Sequence, residues 1–168
     1  MQHRARFEIW GGGKNELIFV NDGSTDASMN ILEVIAQQNK NVRVISFSRN
    51  FGHEAAMIAG IDHAAGDVII CMDADLQHPL ECIAPIMAKF EEGYEVISMV
   101  RTSNKSAGAI KNFTSRAFYR VINALSDQVK LEENASDFFA ISSRVADVLR
   151  TNYREKTRFL RGYVQSVG

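Results

Sequence analysis

Asp73, Asp75 and Gln77 stand at every second position in the stretch CMDADLQHP, residues 71 to 79, directly after the apolar run DVII. Side chains alternate with a period of two along a strand, so two carboxylates carried past a strand end in that spacing project the same way. Like charges held so close repel unless a cation lies between them. A hard divalent ion, Mg²⁺ or Mn²⁺, bound through one or two carboxylates and sharing the phosphates of a substrate, removes that repulsion. The same residues also fit a plainer role, with Asp73 ending a strand and Asp75 capping a helix next to Pro79. A bare D-x-D does not choose between the two.

A second acidic stretch, FVNDGSTD at residues 19 to 26, follows another apolar run. Asp22 and Gly23 suit a tight turn, and Ser24 or Thr25 can cap a following helix. A carboxylate at a strand end can also accept from the ring N–H of a nucleobase while an acidic pair holds metal and diphosphate. Each stretch alone reads as a strand-to-helix turn; together they describe a nucleotide-diphosphate site.

The elements that must carry these residues alternate. ELIFV (16 to 20), VRVISF (42 to 47), DVIICM (67 to 72), EVISMV (95 to 100) and DFFAIS (137 to 142) read as strands. STDASMNILEVIAQQ between the first two carries Ile31, Leu32 and Ile35 at helical spacing. HEAAMIAGIDHAAG (53 to 66) reads as a helix stopped by Gly66, and a helix from Pro79 to about Glu92 starts on a favoured first residue. IKNFTSRAFYRVINALS (110 to 126) and SRVADVLRT complete the helices. The unbroken apolarity of DVIICM predicts burial on both faces. Alternation of this kind implies α/β architecture, with βαβ units, a mainly parallel sheet and helices on both faces. Ligands of such sheets sit beyond the carboxyl ends of the strands, where both acidic stretches fall.

Composition bounds the reading. The chain has 168 residues, 46% of them hydrophobic, which is enough for one core, and a net charge of −1, which gives no basic field for nucleic acid. Cys71 and Cys82 match neither a paired metal-ligand spacing nor a disulfide framework, which favours a reducing, cytoplasmic setting. No apolar run approaches the roughly 18 residues of a spanning helix, and the start carries no signal-peptide pattern. GGGK, residues 11 to 14, precedes a strand and opens no helix, so it makes a poor phosphate cradle. His78 reads best as a solvent-exposed histidine at a helix start. Arg49 and His53 flank NFG within reach of a phosphate, while Asn50 and Gly52 suit the turn. Lys105, Lys111, Arg116 and Arg120 share one segment with Val121, Ile122 and Leu125, a pattern that fits either a membrane-surface helix or a core-facing helix with a basic edge.

ELIFVNDGSTD, VISFSRNFGHEAAMIAGIDHAAGD, MDADLQHP and SDFFAISSRV together resemble the catalytic domain of family 2 glycosyltransferases of the GT-A fold, more narrowly its polyprenyl-phosphate branch of bactoprenol glucosyltransferases and dolichyl-phosphate mannose synthases. The resemblance runs from about Glu16 to Gly168. It implies transfer of a sugar, with inversion, from a UDP-sugar or GDP-mannose to a polyprenyl phosphate at the inner face of a membrane. Carried over by residue, it gives Asp22 and Val20 to the nucleobase, and Asp73, Ala74 and Asp75 to the metal and diphosphate, with Gln77 as a supporting ligand. It sets Arg101 near the phosphates, Lys111 and Ser115 at the acceptor phosphate, and Asp137 beside Asp75 at the reacting centre.

Three features depart from that pattern. The family opens on a strand and loop of the type VIPVYNEE, whereas this chain has MQHRARFEIWGGGKN. Five residues, Gly11 to Asn15, separate RFEIW from ELIFV, too few for a parallel crossover, so residues 1–15 are expected to form an atypical arm and 16–168 a partial catalytic domain. The family also continues into C-terminal membrane helices, which implies truncation at both ends and membrane contact from the surface only. Finally, Phe139 stands where the family's DFRL has arginine, removing a cation from the anion site. Two other classes stay open: a sugar nucleotidyltransferase, and a non-catalytic remnant lacking the first strand.

Overall fold

Ile, Val and Phe dominate LIFVN and VRVIS, and these stretches pair as parallel strands β1 (Leu17–Asn21) and β2 (Val42–Ser46) in the computed structural model, which describes residues 15–75, 77–100, 135–152 and 160–167. The register runs from Leu17 opposite Val42 to Asn21 opposite Ser46. The connection passes through α1 (Ser28–Gln38), which packs on both strands. Two compact units divide the chain at Gly60, and this strand–helix–strand belongs to the first. Ile31, Val34 and Ile35 lie on the exposed side of α1.

The start of α1 differs from the capping expected of Ser24 or Thr25. The residue before the helix is Ala27, with no side-chain cap, and Asp26 Oδ1 instead accepts from the Ser28 N–H at 2.9 Å. The turn after β1 runs several residues longer than the sequence suggests, which moves both hydroxyls off the helix end. α2 (His53–His63) follows β2 and likewise ends before its expected stop. Gly23, Gly52 and Gly93 hold positive φ among the described residues, and Gly66 does not. Terminal carbonyls of α2 are satisfied by a side chain: Arg150 Nε donates to the Ile61 carbonyl at 3.1 Å and Nη2 to that of Ala64 at 2.7 Å. A guanidinium at a helix C-terminus also opposes the negative end of the helix dipole.

In the second unit, β5 (Ala135–Ser142) lies between β3 (Val68–Cys71) and β4 (Val96–Val100) and runs antiparallel to both. Val68 faces Ser142 and Cys71 faces Phe139 on one side; Val96 faces Ile141 and Val100 faces Ala135 on the other. β3 and β4 therefore point the same way, as successive βα units require, with the later strand reversed between them. The α/β architecture expected of the GT-A type is present, with a parallel pair in the first unit and helices packed with the sheet of the second, although the two pairings of that sheet are antiparallel where the alternation of elements predicts a mainly parallel sheet.

Phe138 through Ile141 are all buried, so the central strand is covered on both faces. Phe138 and Ala140 join Ile86 of α3 (Ile83–Glu91) in one cluster, lined further by Ile70, Met72, Phe90 and Ile97. α4 (Ser143–Asn152) and α5 (Leu160–Val167) pack on each other and on the strands, burying Val145, Leu149, Leu160 and Val164 outside that cluster. Phe139, at 2% exposure, takes its place in this core, which is why an apolar ring suits the position better than a cation.

The helix expected from Pro79 is split. Pro79 stays extended, Leu80–Cys82 form a 3₁₀ turn, and α3 begins at Ile83. Pro85 explains the restart, because a residue without an N–H fits only the first turn of an α-helix. α5 is an addition to the expected elements; Leu160 and Val164 lie one turn apart, and Gly162 between them masks the pattern. The helix expected over 110–126 and, apart from Asn15, the arm over 1–15 fall outside the described residues. Among those described, no helix is long and apolar enough to cross a membrane.

Candidate functional site

Two polar side chains, one amide and one carboxylate, are tied down at the turn of the first unit. Asn21, buried at the end of β1, donates through Nδ2 to Ser46 Oγ at 3.2 Å and accepts the Ser24 N–H on Oδ1 at 3.1 Å. The neighbouring Asp22 carboxylate accepts the Phe51 N–H at 2.7 Å and the Gly52 N–H at 2.9 Å, one on each oxygen. It thereby clamps the loop that leads into α2. A carboxylate offers roughly four acceptor positions, so this clamp does not exhaust Asp22. Val20 is half-buried beside Gly60 of α2. Arg49 places its guanidinium 4.4 Å from the centre of the Phe51 ring, and Phe47 meets that ring edge-on at 5.5 Å.

Gly23 has no room for a side chain. Its φ is 69°, and an added Cβ would stand 2.4 Å from the Arg49 carbonyl carbon, a backbone atom that cannot swing aside. Gly23→Ala is expected to lower stability by about 2–3 kcal/mol, read as a lower urea midpoint. An unchanged midpoint would mean that the 49–50 backbone yields freely.

The acidic stretch of the second unit departs from the alternation its spacing suggests. β3 ends at Cys71, and residues 74–75 form a turn, so Asp73 and Asp75 do not continue a strand. Period-two geometry stops with the ladder, and each carboxylate takes its own partner. Asp73 Oδ2 lies 3.2 Å from His78 Nε2. Asp75 is exposed and accepts the Gln77 N–H on Oδ1 at 3.0 Å, closing an Asx-type turn. Ala74 and Gln77 are exposed beside them.

His78 overturns its expected exposure. It is 8% exposed, with its ring 4.9 Å from that of Phe138 and tilted by 40°. Asp137 precedes Phe138 near the start of β5 and is half-buried. Cys71, the last residue of β3, pairs with Phe139, two residues along β5 from Asp137. Val100, at the end of β4, pairs with Ala135. The carboxyl ends of β3 and β4 and the amino end of β5 thus meet at one rim, which holds Asp73 and Asp137, with Asp75 in the turn that leaves it.

Cys71 closes the strand under this rim, and burial pushes its thiol up to about 12. It stays protonated at neutral pH and is no nucleophile there. Among the described residues, no group of three or more His, Cys, Asp or Glu side chains is gathered for a metal. The oxygen donors of Asp73, Asp75 and Gln77 suit a hard cation that completes its shell with water and substrate phosphate, the mode usual for Mg²⁺. Arg101, Lys111 and Ser115 fall outside the described residues.

The family model described as glycosyl transferase family 2 matches residues 7–150. An uncharacterized glycosyltransferase of Bacillus subtilis (strain 168) is 42% identical over 153 residues, covering 91% of this chain and 47% of that protein. A prophage bactoprenol glucosyl transferase homolog of Escherichia coli (strain K12) is 38% identical over 153 residues, 91% of this chain and 49% of its own length. The bactoprenol glucosyl transferase of Shigella phage SfV is 37% identical over the same 91% of this chain and 49% of its own. The chain spans about half the length of the curated relatives it matches.

Proposed function

The chain belongs to glycosyl transferase family 2, and we propose that it carries the sugar-transfer site of an enzyme that moves a hexose, with inversion, from a nucleotide-diphosphate sugar to a polyprenyl phosphate at a membrane surface. The observation that carries this reading is the rim of the second sheet, where Asp73 and Asp137 stand at adjoining strand ends with Asp75 in the adjacent turn. The lipid acceptor is taken from the bactoprenol in the names of two relatives.

Asp73 and Asp75, supported by Gln77, would hold Mg²⁺ or Mn²⁺. When bound, such an ion offsets the negative charge that grows on the departing diphosphate. Asp22 and Val20 are assigned to the nucleobase, Ala74 to the diphosphate by its backbone, and Arg101, Lys111 and Ser115 to the phosphates of donor and acceptor. A lipid phosphate is already anionic near neutral pH, so its attack on the anomeric carbon needs orientation more than proton removal. Asp137 supplies that orientation from the start of β5, at the rim that carries Asp73.

Calorimetric titration with UDP-glucose and GDP-mannose, each with and without Mn²⁺, tests the donor. Binding of one intact sugar nucleotide that depends on Mn²⁺ is expected, and silence under every condition would end the proposal. Asp137→Asn is expected to leave nucleotide affinity within about twofold and to cut sugar transfer to polyprenyl phosphate by about 10²-fold, the scale of one preorganised electrostatic contact. Equal losses in both assays would make Asp137 a structural acid.

A further inference from the structure

We infer that His78 is the positioning residue for Asp73, fixing that carboxylate on the rim through a hydrogen bond from Nε2 while its ring is held by Phe138. This rests on the metal-and-diphosphate reading of Asp73 above. It begins from an oddity of burial: of the described residues, Asn21 and His78 are the buried polar ones, and His78 lies in an otherwise exposed stretch between Gln77 and Pro79. Burying an imidazole costs free energy unless its nitrogens are partnered. Nε2 lies 3.2 Å from Asp73 Oδ2, within hydrogen-bond distance, and a carboxylate that is to hold a cation must accept, so the inferred bond runs from an Nε2–H donor to Oδ2.

The ring's other contact sets where that bond points. Phe138, 2% exposed, belongs to the cluster with Ile86 and Ala140. Its ring packs 4.9 Å from the imidazole, so the histidine cannot turn away without opening the core. Phe138 is also the neighbour of Asp137 on β5. One side chain therefore ties the turn bearing Asp73 to the strand bearing Asp137. Asp75, by contrast, is exposed and accepts from the Gln77 backbone two residues away. Among the described residues, the rim thus pairs a carboxylate held from the core with one bonded within its own turn. Outer partners that orient a ligating carboxylate typically change metal affinity by about 10–100-fold when removed.

Two substitutions separate the bond from the packing. His78→Phe keeps an aromatic ring against Phe138 and removes the donor; His78→Gln loses the ring and keeps an amide N–H at about the reach of Nε2. Both are tested in the chain described here by calorimetry with Mn²⁺ alone and with UDP-glucose or GDP-mannose plus Mn²⁺, alongside thermal melts. His78→Phe is expected to melt near the parent and to bind Mn²⁺ and the Mn²⁺–nucleotide pair at least about tenfold more weakly. His78→Gln is expected to melt lower and to stay within about threefold of parental affinity. Parental affinity in a folded His78→Phe would overturn the inference, as would a loss in folded His78→Gln equal to that in His78→Phe. If the parent chain itself shows no Mn²⁺-dependent binding, the donor-site reading fails and this inference fails with it, a result distinct from a parent that binds and a His78→Phe that binds equally well.

Discussion

Asp75→Asn is expected to abolish Mn²⁺-dependent binding of the sugar nucleotide, a loss of at least about 100-fold, while the melting temperature stays within a degree or two of the parent. A directly ligating carboxylate should cost more than the outer partners of such ligands, whose removal costs about 10–100-fold. The fold should hardly notice. Asp75 is exposed, and the contact seen for it is the Gln77 N–H on Oδ1, an acceptor that asparagine retains. Exposed substitutions that keep their local bonds usually fall within about 0.5 kcal/mol. Calorimetry and circular dichroism on the same preparation decide the matter. Binding that survives the change would withdraw Asp75 from any metal site, and a large fall in melting temperature would show that its turn holds more of the structure than its exposure suggests.

The second large effect is on stability. Phe138→Ala is expected to cost about 3–5 kcal/mol, the range for removing a buried aromatic ring from a core. Phe138 is 2% exposed, lies on the central strand of its sheet and packs with Ile86 and Ala140. For a chain of this size such a loss lowers the melting temperature by about 6–20 °C. The ring is also the surface against which His78 rests, so any folded remainder should show a weakened acidic rim as well. Phe51→Ala is the control: that ring is 52% exposed, and its loss should move the melt little. A small shift for Phe138→Ala would mean that the sheet collapses onto the gap at little cost.

Element identity was legible from local pattern wherever one apolar run meets one partner. Val68–Cys71, Val96–Val100 and the helix from His53 all stand within a few residues of their expected bounds. Strand direction was not legible, because DFFAIS has the same composition whether it pairs parallel or antiparallel; that choice is made by partners far away in sequence. The same limit hides Arg150 as the cap of α2, for which Gly66 is the local stop signal. At the acidic rim, the common projection expected of Asp73 and Asp75 from period two fails, because β3 stops at Cys71. The burial of His78 is hidden for a related reason. Beside exposed Gln77 and Pro79 nothing local marks a histidine for burial, and the ring that buries it arrives from β5.

The position of β5 bears on how the chain is made. A ribosome delivers β3 and β4 long before the residues that join them, so neither can form its ladder to β5 until about Ser142 has left the exit tunnel. Pairings of such long range are slow, and unpaired strand edges waiting for them invite association with other nascent chains. Expression at lower temperature, or with a holding chaperone, should therefore raise the soluble yield more than any change to the acidic rim.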